Sequence, residues 1–293
     1  MKGYVLAIMA AVLWGVSGTF AQFLFANQGF NVEWVVTVRL LTSGAVFLMF
    51  AYTQSRESVW KIWRTDAVPL VIFGLFGMLA VQYTYFITIK HSNAATATIL
   101  QYLGPVFIAA YYAILEKRWP RLFEMIALVF AVSGTFLLVS HGRFDALMIS
   151  PPALVWGLIS AVALATYSIL PEGLLKRHSS AALIGWGMLI GGVTFSFVHA
   201  PWNFEGAWSN ESVFSLFFII VFGTLVPFYA YLNGVKLIGA TKASLLACAE
   251  PLAASLLAVL WLGVSLTAYD WIGGGLIIAT ILILTAFNPK ASH

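Results

Sequence analysis

Two ionisable side chains sit inside runs of residues that have otherwise shed charge. Glu250 lies in SLLACAEPLAASLLAVLWLG, Ser244 to Gly263, directly before Pro251, and Arg39 lies six residues past Glu33 in another apolar run. A carboxylate at the centre of a hydrocarbon layer costs about 2.5–3.5 kcal/mol, so it must face protein, water or a bound molecule. At 1.5 Å per residue, Glu250 is roughly 12 Å along its helix from Lys242, and Arg39 is roughly 9 Å from Glu33. If they enter a layer of about 30 Å from opposite faces, approximately 9 Å separates them along its normal. That spacing suits a zwitterion, with Glu250 taking the ammonium and Arg39 the carboxylate. A carboxylate withdrawn from water can also share its position with a proton. The competing structural roles are an interhelical hydrogen bond for Glu250, and snorkelling or helix-end packing for Arg39.

Polar and aromatic side chains within the apolar runs extend this set. The candidate solute-binding residues are Trp14, Arg39, Gln82, Tyr85, Gln101, Tyr102, Tyr167, Tyr231 and Glu250, with Glu250 doubling as a proton site. Tyr83, Trp186 and Tyr229 are further aromatics inside the runs, and ring packing competes with ligand contact for all of them. Trp34, Trp60, Trp63, Trp119, Trp202 and Trp208 fall near segment ends and are expected in interfacial belts. His91, His141, His178 and His199 lack metal-ligand spacing and read as interfacial histidines. Glu172 is one turn from Lys176 and reads as a surface pair. Cys248 is the one cysteine, which excludes an internal disulfide and a cysteine-based metal site. No metal or cofactor is expected. An intramembrane enzyme acting on lipid-linked groups would need a convergent nucleophile, base or metal set, and none is visible.

The elements that would position these residues are helices that cross a bilayer. Hydrophobic residues are 61% of 293 and charged ones 9%, with a mean hydropathy of +0.93. A soluble domain carries about 25% charged residues. Ten apolar segments are expected, at 4–25, 33–53, 67–88, 94–115, 122–140, 153–173, 181–199, 212–234, 243–262 and 269–287. Pro171 and Pro227 should bend their helices. With the N-terminus inside, 12 of the 15 Lys and Arg fall in inside segments and 2 outside, with Arg39 in the membrane. The expected topology is therefore N-in/C-in. The net charge of +4 comes with no basic, aromatic-interleaved soluble segment, so a nucleic-acid partner is not expected.

Sliding the chain by 146 residues lays Tyr83 and Tyr85 over Tyr229 and Tyr231, Gln101 over Ala247, Gly104 over Glu250 and Pro105 over Pro251. Five helices per half is an odd number, so 1–145 and 146–293 would form two inverted repeats of one membrane domain, with a site between them near the midplane.

Leu13-Trp14-Gly15, Arg39, the paired Pro105 and Pro251, and the small residues of Ala127 to Gly134 and Gly273 to Thr280 resemble the EamA-type branch of the drug/metabolite transporter superfamily. The family often places Leu-Gly-Glu after the fourth helix of a half. Here Leu262-Gly263 is followed by Val264, while Glu116 stands near that place in the first half. The resemblance implies a carrier in the lipid bilayer that moves a small-molecule solute by alternating access. Its implied solutes include amino acids and related metabolites, with cationic or quaternary ammonium compounds as the alternative. A proton is a candidate coupling ion, and the expected location is the bacterial inner membrane. No oligomeric state is implied.

Overall fold

The computed structural model describes residues 1–117, 119–140, 150–253 and 267–286. Among them the chain is helical, without a strand. Six stretches are long and apolar enough to cross a membrane: Lys2–Asn27, Val32–Gln54, Ala67–His91, Thr96–Leu115, Pro151–Arg177 and Asn210–Ile238. Leu122–Leu137, Ser180–Phe195 and Trp271–Ile283 are shorter apolar helices. Residues 254–262 of the expected ninth helix, together with Leu262-Gly263-Val264, His141, Arg118, Arg143 and Lys290, lie outside the described residues.

The helices are α1 (Lys2–Asn27), α2 (Val32–Gln54), α3 (Arg56–Thr65), α4 (Ala67–Ile72), α5 (Ala80–His91), α6 (Ala94–Gln101), α7 (Gly104–Leu115), α8 (Leu122–Ser140), α9 (Pro151–Ile169), α10 (Pro171–Arg177), α11 (Ser180–Phe195), α12 (Asn210–Ile220), α13 (Val226–Ile238), α14 (Ala240–Ala247) and α15 (Ala268–Ala286). Their starts follow from capping. Asn31 Oδ1 accepts from the amide of Glu33 at 2.8 Å, Asn93 Oδ1 from Thr96 at 2.8 Å, and Ser209 forms a reciprocal capping box with Ser212. Gly239, at φ 81°, turns the chain from α13 into α14.

Three features differ from the expected rods. The basic, amphipathic α3 was not anticipated as a helix, and it lays Val59 and Ile62 against the bundle while Arg56, Lys61 and Arg64 stay exposed. The stretches Ala67–His91 and Asn210–Ile238 each contain a π-helical segment, Phe73–Leu79 and Val221–Leu225, whose hydrogen bonds reach five residues instead of four. The helix breaks between α6 and α7 at Tyr102-Leu103, just before Pro105, and after α14 at Cys248, just before Pro251.

Small residues set the helix pairings. A Cβ on Gly44 would come within 2.9 Å of Leu189, one on Gly185 within 2.8 Å of Leu48, and one on Gly192 within 3.0 Å of Leu41. That register makes α2 and α11 antiparallel. Likewise, a Cβ on Gly134 would lie 2.8 Å from Gly273 O, and Thr280 Oγ1 donates to Ala127 O at 3.3 Å, so α8 and α15 are antiparallel. The remaining pairings are reciprocal between the halves: α1 packs on α13, and α5 on α9. The broken spans meet where α7 contacts α14.

Candidate membrane-embedded binding site

Pro251 explains the surroundings of Glu250. A proline has no amide hydrogen, so Ala247 O loses the donor that residue 251 would otherwise supply one turn on. The hydroxyl of Tyr102 takes that place and donates to Ala247 O at 2.6 Å. The same phenolic oxygen lies 2.8 Å from Glu250 Oε2, and Thr98 Oγ1 donates to Glu250 Oε1 at 3.3 Å. Tyr85 OH is 3.0 Å from Thr98 Oγ1. A phenol has one proton. With Tyr102 committed to Ala247 O, the contact between Tyr102 and Glu250 is complete when the carboxyl brings a proton of its own. Glu250 is 6% exposed and points into the bundle. Gly15 of α1 makes room for it, since a Cβ there would lie 2.6 Å from Glu250 O. Ala243 and Ala247, seven and three residues before it and so on the same helical face, are buried too.

Arg39 is also buried. Its Nη2 donates to Gly223 O at 2.9 Å and its Nε to Thr224 Oγ1, both in the π-helical stretch Val221–Leu225. Thr224 can accept because its own proton goes to Ile219 O at 2.8 Å, five residues back. The guanidinium carbon lies 4.7 Å from the Phe86 ring centre and 5.7 Å from that of Phe228. Arg39 and Glu250 form no ion pair.

Between them lies a cavity of ≈ 60 Å³ lined by Trp14, Ser17, Gly18, Arg39, Val81, Gln82, Tyr85, Phe86, Gln101, Tyr102, Leu164, Tyr167, Phe228, Ala247 and Glu250. All the candidates named from the sequence line it except Tyr231. Tyr231 packs behind the wall, stacked on Tyr167 at 5.6 Å and tilted against Trp14 at 5.2 Å, and its hydroxyl is 2.8 Å from Ser168 Oγ. Gln101 Nε2 donates to Ser160 Oγ at 2.8 Å. The structure adds Ser17, Thr98, Phe86, Phe228 and Thr224 to the site. Thr98, one turn before Tyr102, carried a helical-spacing signal, whereas the long-range contacts of Thr224 and Phe228 carried none.

A second cavity, of ≈ 230 Å³, lies toward the end of the bundle that holds Glu116, Glu124, Glu172 and Lys242. It reaches Pro105 and Leu245, close in sequence to Tyr102 and Ala247 of the first cavity. Here Glu172 corrects the surface-pair reading: its Oε1 accepts from the amide of Ala240 at 2.6 Å, capping α14, and its Oε2 accepts from Tyr112 OH. The carboxylate thus ties α7 to α14. Two residues expected at the membrane interface are enclosed by protein. Trp34 is buried among Phe30, Phe204 and Trp208 and donates Nε1 to Pro201 O at 2.8 Å. His178 is buried, with Nε2 2.6 Å from Asp66 Oδ2, while Arg177 holds Asp66 Oδ1 at 2.7 Å. The hydrogen bond from His178, with help from Thr65 and Arg177, holds the Asp66 carboxyl below its ordinary value.

Antiparallel apolar helices around a cavity that Arg39 and Glu250 line define a multi-pass integral membrane protein. The chain matches the model of the EamA-like transporter family over residues 1–140 and 151–286 and belongs to that family. It is 38% identical over 294 residues to the "Uncharacterized inner membrane transporter YicL" of Salmonella typhimurium, covering 100% of this chain and 98% of the relative. It is 25% identical over 203 residues to the "Pseudopaline exporter CntI" of Pseudomonas aeruginosa, covering 69% and 67% of the two chains. A solved crystal structure with 18% identity superposes at a TM-score of 0.79 over 99% of both chains, a likeness of fold.

Proposed function

We propose that this protein is a secondary transporter in the bacterial inner membrane that moves a small polar or amphipathic metabolite by alternating access, with Glu250 binding either a proton or the solute. The relatives' printed names support transport, an inner-membrane location and, in one case, export. Ten spans in two inverted repeats, 1–145 and 146–293, with both termini inside, fit the antiparallel pairs α2 with α11 and α8 with α15 and the reciprocal packing of α1 on α13 and α5 on α9.

The observation that carries the proton role is the hydroxyl of Tyr102 lying between Ala247 O and Glu250 Oε2. Protonated Glu250 completes a one-way chain: Tyr85 donates to Thr98, Thr98 to Glu250, Glu250 to Tyr102 and Tyr102 to Ala247 O. Loss of that proton makes Tyr102 choose between a carboxylate and a backbone carbonyl, so the ionised site favours a new partner for Glu250. The solute's own charge is that partner, which makes proton and solute alternatives at one position. Gradient-driven uptake into proteoliposomes tests this. Glu250→Gln keeps the neutral hydrogen-bonding shape and should fold, yet lose all dependence of uptake on a pH gradient. Unchanged gradient-driven uptake by that variant removes the coupling role.

A further inference from the structure

The fold leaves particular buried atoms of the cavity's lining residues without a protein partner among the described residues. Gln82 Nε2 donates to Met78 O at 3.2 Å, which fixes the orientation of the amide. Its Oε1 is then an acceptor, buried and without a partner among the described residues. Tyr167 OH is buried and unpartnered in the same way. Glu250 forms no ion pair with a described residue. All three line one cavity. Buried polar groups are normally hydrogen-bonded, so unmade ones in a chamber point to what enters it.

The cation of the chamber is engaged elsewhere. Nε and Nη2 of Arg39 form the side-on fork with which an arginine clasps a carboxylate. That fork holds Thr224 and Gly223, and the rings of Phe86 and Phe228 lie against the guanidinium.

We propose that the solute is a small ammonium compound that retains N–H groups, with its charge on Glu250 and its N–H donors shared between Gln82 Oε1 and Tyr167 OH. This rests on the carrier reading above and narrows it. Trp14 and Phe228 face the alkyl part. A quaternary ammonium has the charge but no donor for the two unpartnered oxygens. A zwitterion brings a carboxylate to a guanidinium whose fork is taken. Replacing the proton of Glu250 by an ammonium ion also leaves the chamber's net charge unchanged, so the nearby charge of Arg39 weighs equally on both loaded states.

Thermal-shift titration of the purified full-length protein tests the inference with three small probes: isopropylamine, alanine and tetramethylammonium. A ligand raises the melting temperature of the form it binds in a saturable way. Isopropylamine should half-saturate at a concentration at least about tenfold lower than either other probe, a preference of about 1.4 kcal/mol. Glu250→Gln should abolish its saturable shift. Gln82→Leu and Tyr167→Phe keep the charge of the site and should each reduce the discrimination against tetramethylammonium, which keeps the test intact if Glu250→Gln does not fold. Equal half-saturation by alanine or tetramethylammonium, or no saturable shift with isopropylamine, overturns the inference. Gradient-driven uptake of other solutes without amine discrimination would leave the carrier reading standing while this one falls. Discriminating amine binding with no transport in proteoliposomes would do the reverse.

Discussion

Prolines 105 and 251 interrupt two helices at matching positions and leave different chemistry behind. Before the first stands Gly104, where a Cβ would come within 2.9 Å of Leu164 and 3.1 Å of Ala161 O, so the neighbouring helix α9 fills the break. Before the second stands Glu250, and the neighbouring helix α1 yields instead, offering Gly15. Each proline frees the carbonyl four residues earlier, that of Gln101 or Ala247. Among the described residues a side-chain hydroxyl is drawn to the second of these, Tyr102 to Ala247, and not to the first. The bend itself is thus common to both halves. The carboxyl is an addition to the second half, opposite Gly104, and the phenol an addition to the first, opposite Cys248; a pairing that the common bend does not require is where a solute or proton site is to be sought.

Making the two breaks alike is the most severe way to test this contrast. Gly104→Glu would place a side chain against Leu164 and a second carboxylate in the core, costing several kcal/mol per buried ion. Loss of folded protein in size-exclusion profiles is the expected result. The proline can be removed instead. Pro251→Ala returns an amide to Ala247 O and releases the Tyr102 proton for ionised Glu250, so the pH-gradient dependence of uptake should shrink while folding persists. Tyr102→Phe is milder in design but leaves Ala247 O unmet, at about 1–3 kcal/mol in thermal stability. Arg39→Gln separates the charged π-helical stretch from its apolar counterpart at Phe73–Leu79. Because Arg39 holds backbone and threonine, it should weaken transport of solutes with and without a carboxylate to the same degree; a loss confined to carboxylate-bearing solutes would return Arg39 to the ligand shell.

The smallest effect is expected far from both breaks. The Asp66 carboxyl is depressed in the folded protein, so its contribution is fully present above the ordinary carboxylate value near 3.8 and is lost as pH falls through the lower folded value. Asp66→Asn should therefore lower the melting temperature slightly at neutral pH, flatten the acid melting curve between those two values and leave it unchanged below them.

Much of this was legible in the residues. Apolar length gave the spans, and the scarcity of charge singled out Arg39 and Glu250. The register of 146 residues paired Pro105 with Pro251 and matched glycine to glutamate. The destination of Arg39 was not legible. Its partners stand 184 and 185 residues away, and the local traces are Gly223 and Pro227, whose missing amide frees the Gly223 carbonyl. Glu172 misled for a related reason: a lysine one turn away is a local signal, and the amide of Ala240, 68 residues on, is not. For His178 and Trp34 the position near a helix end was legible, but their partners Asp66 and Pro201, 112 and 167 residues away, were not.

The seam between α2 and α11 limits how such a molecule can move. Leucine on each helix sits in a notch that glycine leaves on the other, at 44 with 189 and at 48 with 185. Sliding α11 by a turn, about 5.4 Å, would bring Leu189 onto Leu48 in one direction and set Gly44 against Gly185 in the other. The first slide overfills the seam and the second hollows it. Axial travel is therefore blocked along this pair, and rotation about their crossing is the motion it leaves open.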